Sequence, residues 1–201
     1  MYRLTLCIFL NLVPILISTS VNATEQIQGV SIHANKYNKS ADDILSLIEE
    51  SGFNSVRQDL TWNDIESVKG KYEIPEKLKV KDLIIQNSMK YNISPLVILN
   101  YGNKNYNNGG YATRNNEIKA FANYSKWVAT CYKGKVQYYE IWKEWTGGTG
   151  MKGKGEIPSE DVYLKLVKET SEAIRSIDPE AKLLAGSINP LSPKGRRLEI
   201  P

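Results

Sequence analysis

From residue 29 onward, short runs of β-branched and apolar residues alternate strictly with amphipathic helical stretches. The β-type runs are residues 29–34 (GVSIHA), 54–60, 94–99 (SPLVIL), 136–142 (VQYYEIW) and 182–187. Between them lie helical stretches at 40–51, 76–91, 116–132 and 159–177. In the first of these Ile44, Leu45, Leu47 and Ile48 recur at helical spacing. SPLVIL is apolar at every residue after Pro95, a pattern that predicts a parallel strand covered on both faces. Such alternation predicts parallel βα units with right-handed crossovers. Two architectures remain: an open doubly wound sheet or a (β/α)8 barrel.

Local punctuation supports the same elements. Ser40 is placed to cap the first helix, with Asp42 and Asp43 in its first turn and Gly52 after its end. Ser159 stands in the same relation to the fourth helix, followed by Glu160 and Asp161. The nucleotide-binding version of the open sheet needs a glycine fingerprint after its first strand, and residues 35–39 contain no glycine. Chemistry-bearing residues instead follow strand ends: His33, Asp59 with Trp62, Asn100 with Tyr101, and Glu144 with Trp145. That is how a barrel distributes its active face. The expected fold is therefore α/β, a truncated (β/α)8-type barrel of about five parallel βα units.

The first 23 residues read as a secretory signal: Arg3, an apolar core over 4–17, and small Ala23 at its end. The expected organisation is signal 1–23, partial barrel 24–188, and an irregular tail 189–201. The expected location is secreted or periplasmic, without stable membrane insertion once the signal is removed. Cys131 is then the remaining cysteine; lying in a helical pattern, it is expected to be a small buried residue. The formal charge of +4 is scattered among acids rather than gathered into a stripe, so nothing points to nucleic acid. Lys77, Lys79 and Lys81 read as a solvated helix start. One histidine and no CxxC or HxxxH spacing leave no metal site, and no cofactor is expected.

The stretch VQYYEIWKEWTGGTG (136–150) carries the chemistry. Glu144 lies between Trp142 and Trp145 at the tip of a predicted strand, with a glycine-rich loop after it. Aromatic faces stack on pyranose rings, and a carboxyl in apolar surroundings holds its proton more readily, so it can donate one. Glu140 shares strand parity with Glu144 and is expected to pair with a base such as Arg57. Trp62, Tyr101, Tyr106, Tyr111 and Trp145 are candidate sugar platforms, some of them ordinary packing; Trp127 and Trp142 read as core. His33 is either a polar wall of the cleft or a satisfied core residue. Residues 148–155 (GTGMKGKG) come close to a phosphate-binding loop, but Gly155 replaces the required Ser or Thr and no helix follows the lysine directly.

With these residues in place, the chain resembles the clan A glycoside hydrolases, retaining (β/α)8 enzymes of the family 5 and family 39 type. The nearest likeness is to bacterial exopolysaccharide hydrolases. The resemblance runs through GVSIHANKY, GFNSVRQDLTWNDIE, GKYEIP, ISPLVILNYGN and VQYYEIWKEWTGGTGM, covering residues 28–188. It implies cleavage of O-glycosidic bonds in a β-linked polysaccharide, with Glu144 as general acid/base. It further implies that Arg57 is the second-strand arginine of the site and that Trp62 lines it. Two departures stand out. The clan's Asn before the acid is Lys143 here, and lysine cannot accept a hydrogen bond as the amide does at the sugar 2-hydroxyl. The clan's nucleophile is a seventh-strand Glu, and the five units read here carry no equivalent; Glu199 lies on no recognised strand. The expectation is a glycoside hydrolase-like protein with little turnover of its own. The alternatives are a non-catalytic carbohydrate-binding remnant and a non-functional truncated product.

Overall fold

Five strands pair side by side in chain order, every pairing parallel, in the computed structural model, which describes residues 26–149 and 157–188. The elements are β1 (Gly29–Ser31), α1 (Ala41–Glu50), β2 (Ser55–Thr61), the single turn α2 (Trp62–Ile65), α3 (Lys79–Asn87), β3 (Ser94–Asn100), α4 (Asn115–Cys131), β4 (Tyr138–Ile141), α5 (Glu160–Arg175) and β5 (Lys182–Ala185). The signal-like segment 1–23, most of the glycine-rich run 148–155, and the tail 189–201 with Glu199 lie outside the described residues.

Helix α1 starts where its cap predicts. The Ser40 hydroxyl accepts from the Asp43 N–H at 3.1 Å, and the Asp43 carboxylate accepts from the Ser40 N–H at 3.2 Å, a reciprocal box that satisfies two otherwise orphaned donors. Ser159 precedes α5 without a capping hydrogen bond of its own, leaving Glu160 and Asp161 to complement the positive helix end. The stretch 76–91 is not one helix: α3 is flanked by 3-10 turns at Glu76–Leu78 and Ser88–Tyr91. Asn92, left-handed at φ 54°, stops it.

Strand alternation sorts the sheet into two unlike faces. Val56, Leu60, Val97, Leu99, Tyr139 and Ile141 point to one side and are fully buried. There all but Val56 meet Ile118, Phe121, Tyr124 and Val128 of α4 and Leu166 and Ile174 of α5 in one apolar cluster. A second cluster joins Val56 to Ile44, Leu45 and Ile48 of α1 and Ile84 of α3. The other face carries Arg57, Leu96, Tyr138, Glu140 and Leu184, in register across β2 to β5. Several of these are half-buried or exposed. On β3 itself Ile98 is buried and Leu96 half-buried on that side, beside the fully buried Val97 and Leu99 of the other. Helices cover one face, while the other forms the open wall of a groove.

Cys131 also departs from expectation: it is exposed at the end of α4, because the buried stripe there runs through Val128, Ala129 and Tyr132. Among the described residues no helix is long and apolar enough to cross a membrane.

Candidate active site

Glu144 is held by backbone on both sides. Its N–H donates to the Ser187 carbonyl beyond β5 at 2.8 Å, and the Trp142 N–H donates to the Leu99 carbonyl of β3, also at 2.8 Å. The peptide between these anchors bends sharply. Trp142 (φ 65°) and Glu144 (φ 51°) both occupy the left-handed region, which side-chain-bearing residues visit at a cost of about 1–3 kcal/mol each. A strained pair around Lys143, fixed at its ends, is the kind of local expense that accompanies a positioned side chain. The Glu144 side chain is half-buried and, among the described residues, accepts one hydrogen bond, from the Thr149 hydroxyl at 2.6 Å.

Beside it, Arg57 and Glu140 form the pair the strand parity predicts. The Arg57 Nε donates to Glu140 Oε2 at 2.8 Å and a terminal nitrogen donates to Oε1 at 2.9 Å, a two-point fork across β3. The Ser187 N–H adds a third bond to Glu140 at 3.0 Å. These residues line an open groove of about 530 Å³ together with Leu96, Lys143, Glu144, Leu184, Ala185 and Ile188. A larger hollow, about 900 Å³, lies between α4 and α5 among Lys119, Lys126, Lys165 and Glu169. No acid, base or nucleophile converges in it with a strand end, so the groove at the tip of β4 is the candidate site.

Asp59, two residues beyond Arg57 on β2, is bound by Lys81, whose ammonium donates to the Asp59 carboxylate and carbonyl, each at 2.9 Å. Burial pushes the Asp59 pKa up, but the Lys81 charge and hydrogen bond outweigh it and hold the carboxyl below its ordinary value. Lys81 is buried, so its reading as a solvated residue is corrected. Three residues after Leu78 and three and four before Ile84 and Ile85, it belongs to the inward stripe of α3, where an amine needs an acid. His33 is exposed just before a 3-10 turn, close enough for its charge to act on Asp59. Tyr101 is half-buried, edge-on to Trp142 with ring centroids 6.2 Å apart. Its hydroxyl is pushed up to about 12, first by burial and then by Asp59 and Glu144.

The other aromatic platforms are corrected. Trp62 is fully buried, its indole N–H donating to Glu66 at 2.6 Å and its ring stacked on Tyr106 with centroids 4.7 Å apart. Tyr111 is buried against Trp142 and Trp145, its hydroxyl donating to the Trp145 carbonyl. Trp145 is buried as well, with its indole N–H on the Pro158 carbonyl at 3.2 Å. These rings have two apolar faces each and satisfied polar edges, so packing consumes them. Trp142 is core, as predicted, and Trp127 is half-buried against Tyr72.

Four groups escape a reading of the sequence: Lys81, Thr149, Ser187 and Tyr163. The Tyr163 hydroxyl accepts from the Gly186 N–H at 2.6 Å and donates to the Ile141 carbonyl at 3.1 Å, tying α5 to the ends of β4 and β5. Lys81 alone had a signal, its place in the apolar stripe; Ser187 and Tyr163 act through backbone contacts and Thr149 through its hydroxyl on Glu144, none of which a motif announces. Among the described residues no cluster of His, Cys, Asp and Glu is arranged to hold a metal ion.

A sequence model of the cellulase family, glycosyl hydrolase family 5, matches residues 18–189. No curated protein matches at a significant level. A solved family 39 glycoside hydrolase from the gut symbiont Bacteroides cellulosilyticus WH2 is similar at TM-score 0.63 and 26% identity, over 79% of this chain and 31% of that one. The exo-β-1,4-mannosidase Op5Man5 from Opitutaceae bacterium strain TAV5 is similar at TM-score 0.64 and 18% identity, over 79% of this chain and 31% of that one. Endoglucanase Cel5A from Thermotoga maritima gives 0.55 and 21%, over 74% of this chain and 44% of that one. The chain spans less than half the length of each of these structures. The five parallel units are thus those of a (β/α)8-type glycoside hydrolase barrel.

Proposed function

The chain belongs to the cellulase family of glycosyl hydrolases, family 5, and on that premise we propose that Glu144 is the general acid/base of a retaining attack on a β-linked polysaccharide. The observation that carries this is the state of Glu144: at the tip of β4, half-exposed in the groove, with one side-chain hydrogen bond among the described residues. In such a reaction Glu144 protonates the leaving oxygen while a second carboxylate attacks the anomeric carbon. It then takes a proton from the water that releases the sugar. Arg57 and Glu140 neutralise each other behind it, and Tyr101 offers a ring and a hydroxyl at the rim.

The second carboxylate must come from outside the described residues. Glu140 is engaged by Arg57 and Ser187, and Asp59 by Lys81. The described units therefore supply the acid/base half of the site. Acting alone they hold a glycan without cleaving it, which favours carbohydrate binding as the second reading. The proposed place of action, outside the cytoplasm, is supported by the signal-like pattern at the N-terminus.

The test is reducing-end release from a β-1,4-glucan and a bacterial exopolysaccharide, beside oligosaccharide titration followed by tryptophan fluorescence. Binding without release is the expected result for these units. Release that survives Glu144→Gln unchanged removes the acid/base assignment; a flat titration across the glycan panel removes the site.

A further inference from the structure

Lys143 sits between the two strained residues, half-buried, in the wall of the groove that holds Glu144. The other cation of that groove is answered. Arg57 and Glu140 are joined at two points, and Glu144 accepts from Thr149. Lys143 forms no ion pair among the described residues. Its backbone is pinned on either side by the hydrogen bonds to Leu99 and Ser187. The Lys143 backbone is thus held in the groove wall, and among the described residues its ammonium has no ion-pair partner.

We infer that the groove takes an acidic glycan, a chain bearing carboxylates such as those of uronic acids, and that Lys143 is the residue that selects it. This rests on the reading of Glu144 as the acid/base. A glycan lying in the groove strips water from Lys143. A neutral sugar offers the ammonium hydroxyl oxygens and no charge, so its desolvation goes uncompensated. Glu144 cannot make up the difference at the step that matters, because a general acid is neutral while it still holds the proton it will give. The anion must then come from the substrate. The loops after other strands contain further cations: Lys36 and Lys39 lie in residues 32–40 and Lys104 in residues 100–110, stretches without an acid of their own.

The experiment uses the full chain with two β-1,4-linked hexasaccharides that differ in charge alone, one of glucose and one of glucuronic acid. Calorimetric titration at low salt is expected to show about fivefold tighter binding of the acidic chain, the worth of one partly exposed ion pair. Lys143→Gln brings the two affinities together, and Lys143→Arg keeps the preference. A salt titration of the unaltered protein gives the same answer without any variant, the preference shrinking as the ionic strength rises. Equal affinities in the unaltered protein overturn the acidic preference and leave the glycan site standing. A preference that survives Lys143→Gln removes Lys143 as its source. Failure of both oligosaccharides to bind overturns this inference together with the site itself.

Discussion

Two glutamates follow strand ends on the same side of the sheet, and they have opposite fates. Glu66 is fully buried just after α2. Its carboxylate accepts from the Trp62 indole at 2.6 Å, the Gly70 N–H at 2.6 Å and the Tyr106 hydroxyl at 2.7 Å, with no cation paired to it among the described residues. Asn103 and Asn105 close over its backbone carbonyl at 2.9 and 3.0 Å. Glu144 is half-exposed, sits on strained backbone, and has one side-chain bond among the described residues. A carboxylate can act as a proton donor or acceptor only with oxygen left over after the fold has been satisfied. Glu66 spends its oxygens joining the loop after β2 to the loop after β3, whereas Glu144 keeps its own for a ligand.

The contrast is most directly broken by removing each acid. Glu66→Ala strands three donors in a dry pocket and is expected to lower unfolding stability by about 3–5 kcal/mol in urea melts. Tyr106→Phe, which removes one donor of the three, is expected to cost about 2 kcal/mol. Glu144→Gln should leave stability within about 0.5 kcal/mol, since nothing sealed is left unpaired. A Glu144 variant that melts like the Glu66 variant would make both of them structural residues.

Next in size is the Asp59–Lys81 pair. Lys81→Met leaves Asp59 partly buried and unanswered, and should cost about 2 kcal/mol, below the roughly 3–5 of a fully buried pair. Asp59 has a folded pKa below its ordinary value of 3.8. Its stabilisation is therefore complete above the unfolded value and is lost as pH falls through the lower folded one. Acid melts of the unaltered protein should steepen in that window, and Asp59→Asn should flatten them. A profile unchanged by Asp59→Asn would mean that the ion pair contributes nothing.

How much of this was readable in the residues differs between the two faces of the sheet. The helix-covered face was written out by SPLVIL, by the spacing of Ile44, Leu45 and Ile48, and by the Ser40–Asp43 cap. These are local patterns that need no distant partner. On the open face, strand parity brought Arg57 to Glu140, because a period of two survives any loop. The aromatic platforms were misread: a tryptophan beside a strand end suits a sugar and a core equally, and Trp62 and Trp145 went to the core. Lys81 was misread by counting its alternation with Val80 and Asp82 rather than its helical interval to Leu78 and Ile84. Thr149, Ser187 and Tyr163 were invisible because each acts on backbone or on a residue that the chain reaches only after folding.

Gly186 tests whether the groove's framework and its acid can be separated. A Cβ there would sit 2.9 Å from the Ile141 carbonyl oxygen and the Trp142 backbone, so Gly186→Ala must push the end of β5 away from β4. That displacement bears on the Ser187 carbonyl that anchors Glu144 and on the Ser187 N–H that holds Glu140. A stability loss of about 1–2 kcal/mol is expected, with weaker oligosaccharide binding and an unchanged Glu66 network. Undiminished glycan affinity in a destabilised Gly186→Ala protein would show that the clamp does not position the site.

The smallest effect is the sharpest comparison. Thr149→Val removes the side-chain hydrogen bond of Glu144 at 2.6 Å, as Tyr106→Phe removes one from Glu66 at 2.7 Å. The two deletions are chemically alike, a hydroxyl lost from a carboxylate at nearly the same distance. They differ in what replaces it. At Glu144 water can enter the groove and take the vacated lone pair, so the expected loss is about 0.5 kcal/mol or less. At Glu66 no water can follow, and the full desolvation of the carboxylate is felt. Parallel urea melts of the two variants measure that difference, which should be about 1.5 kcal/mol in favour of Thr149→Val. Equal losses would mean that the Glu144 oxygens are as sealed as those of Glu66, and an acid with no access to its groove has no leaving oxygen to protonate.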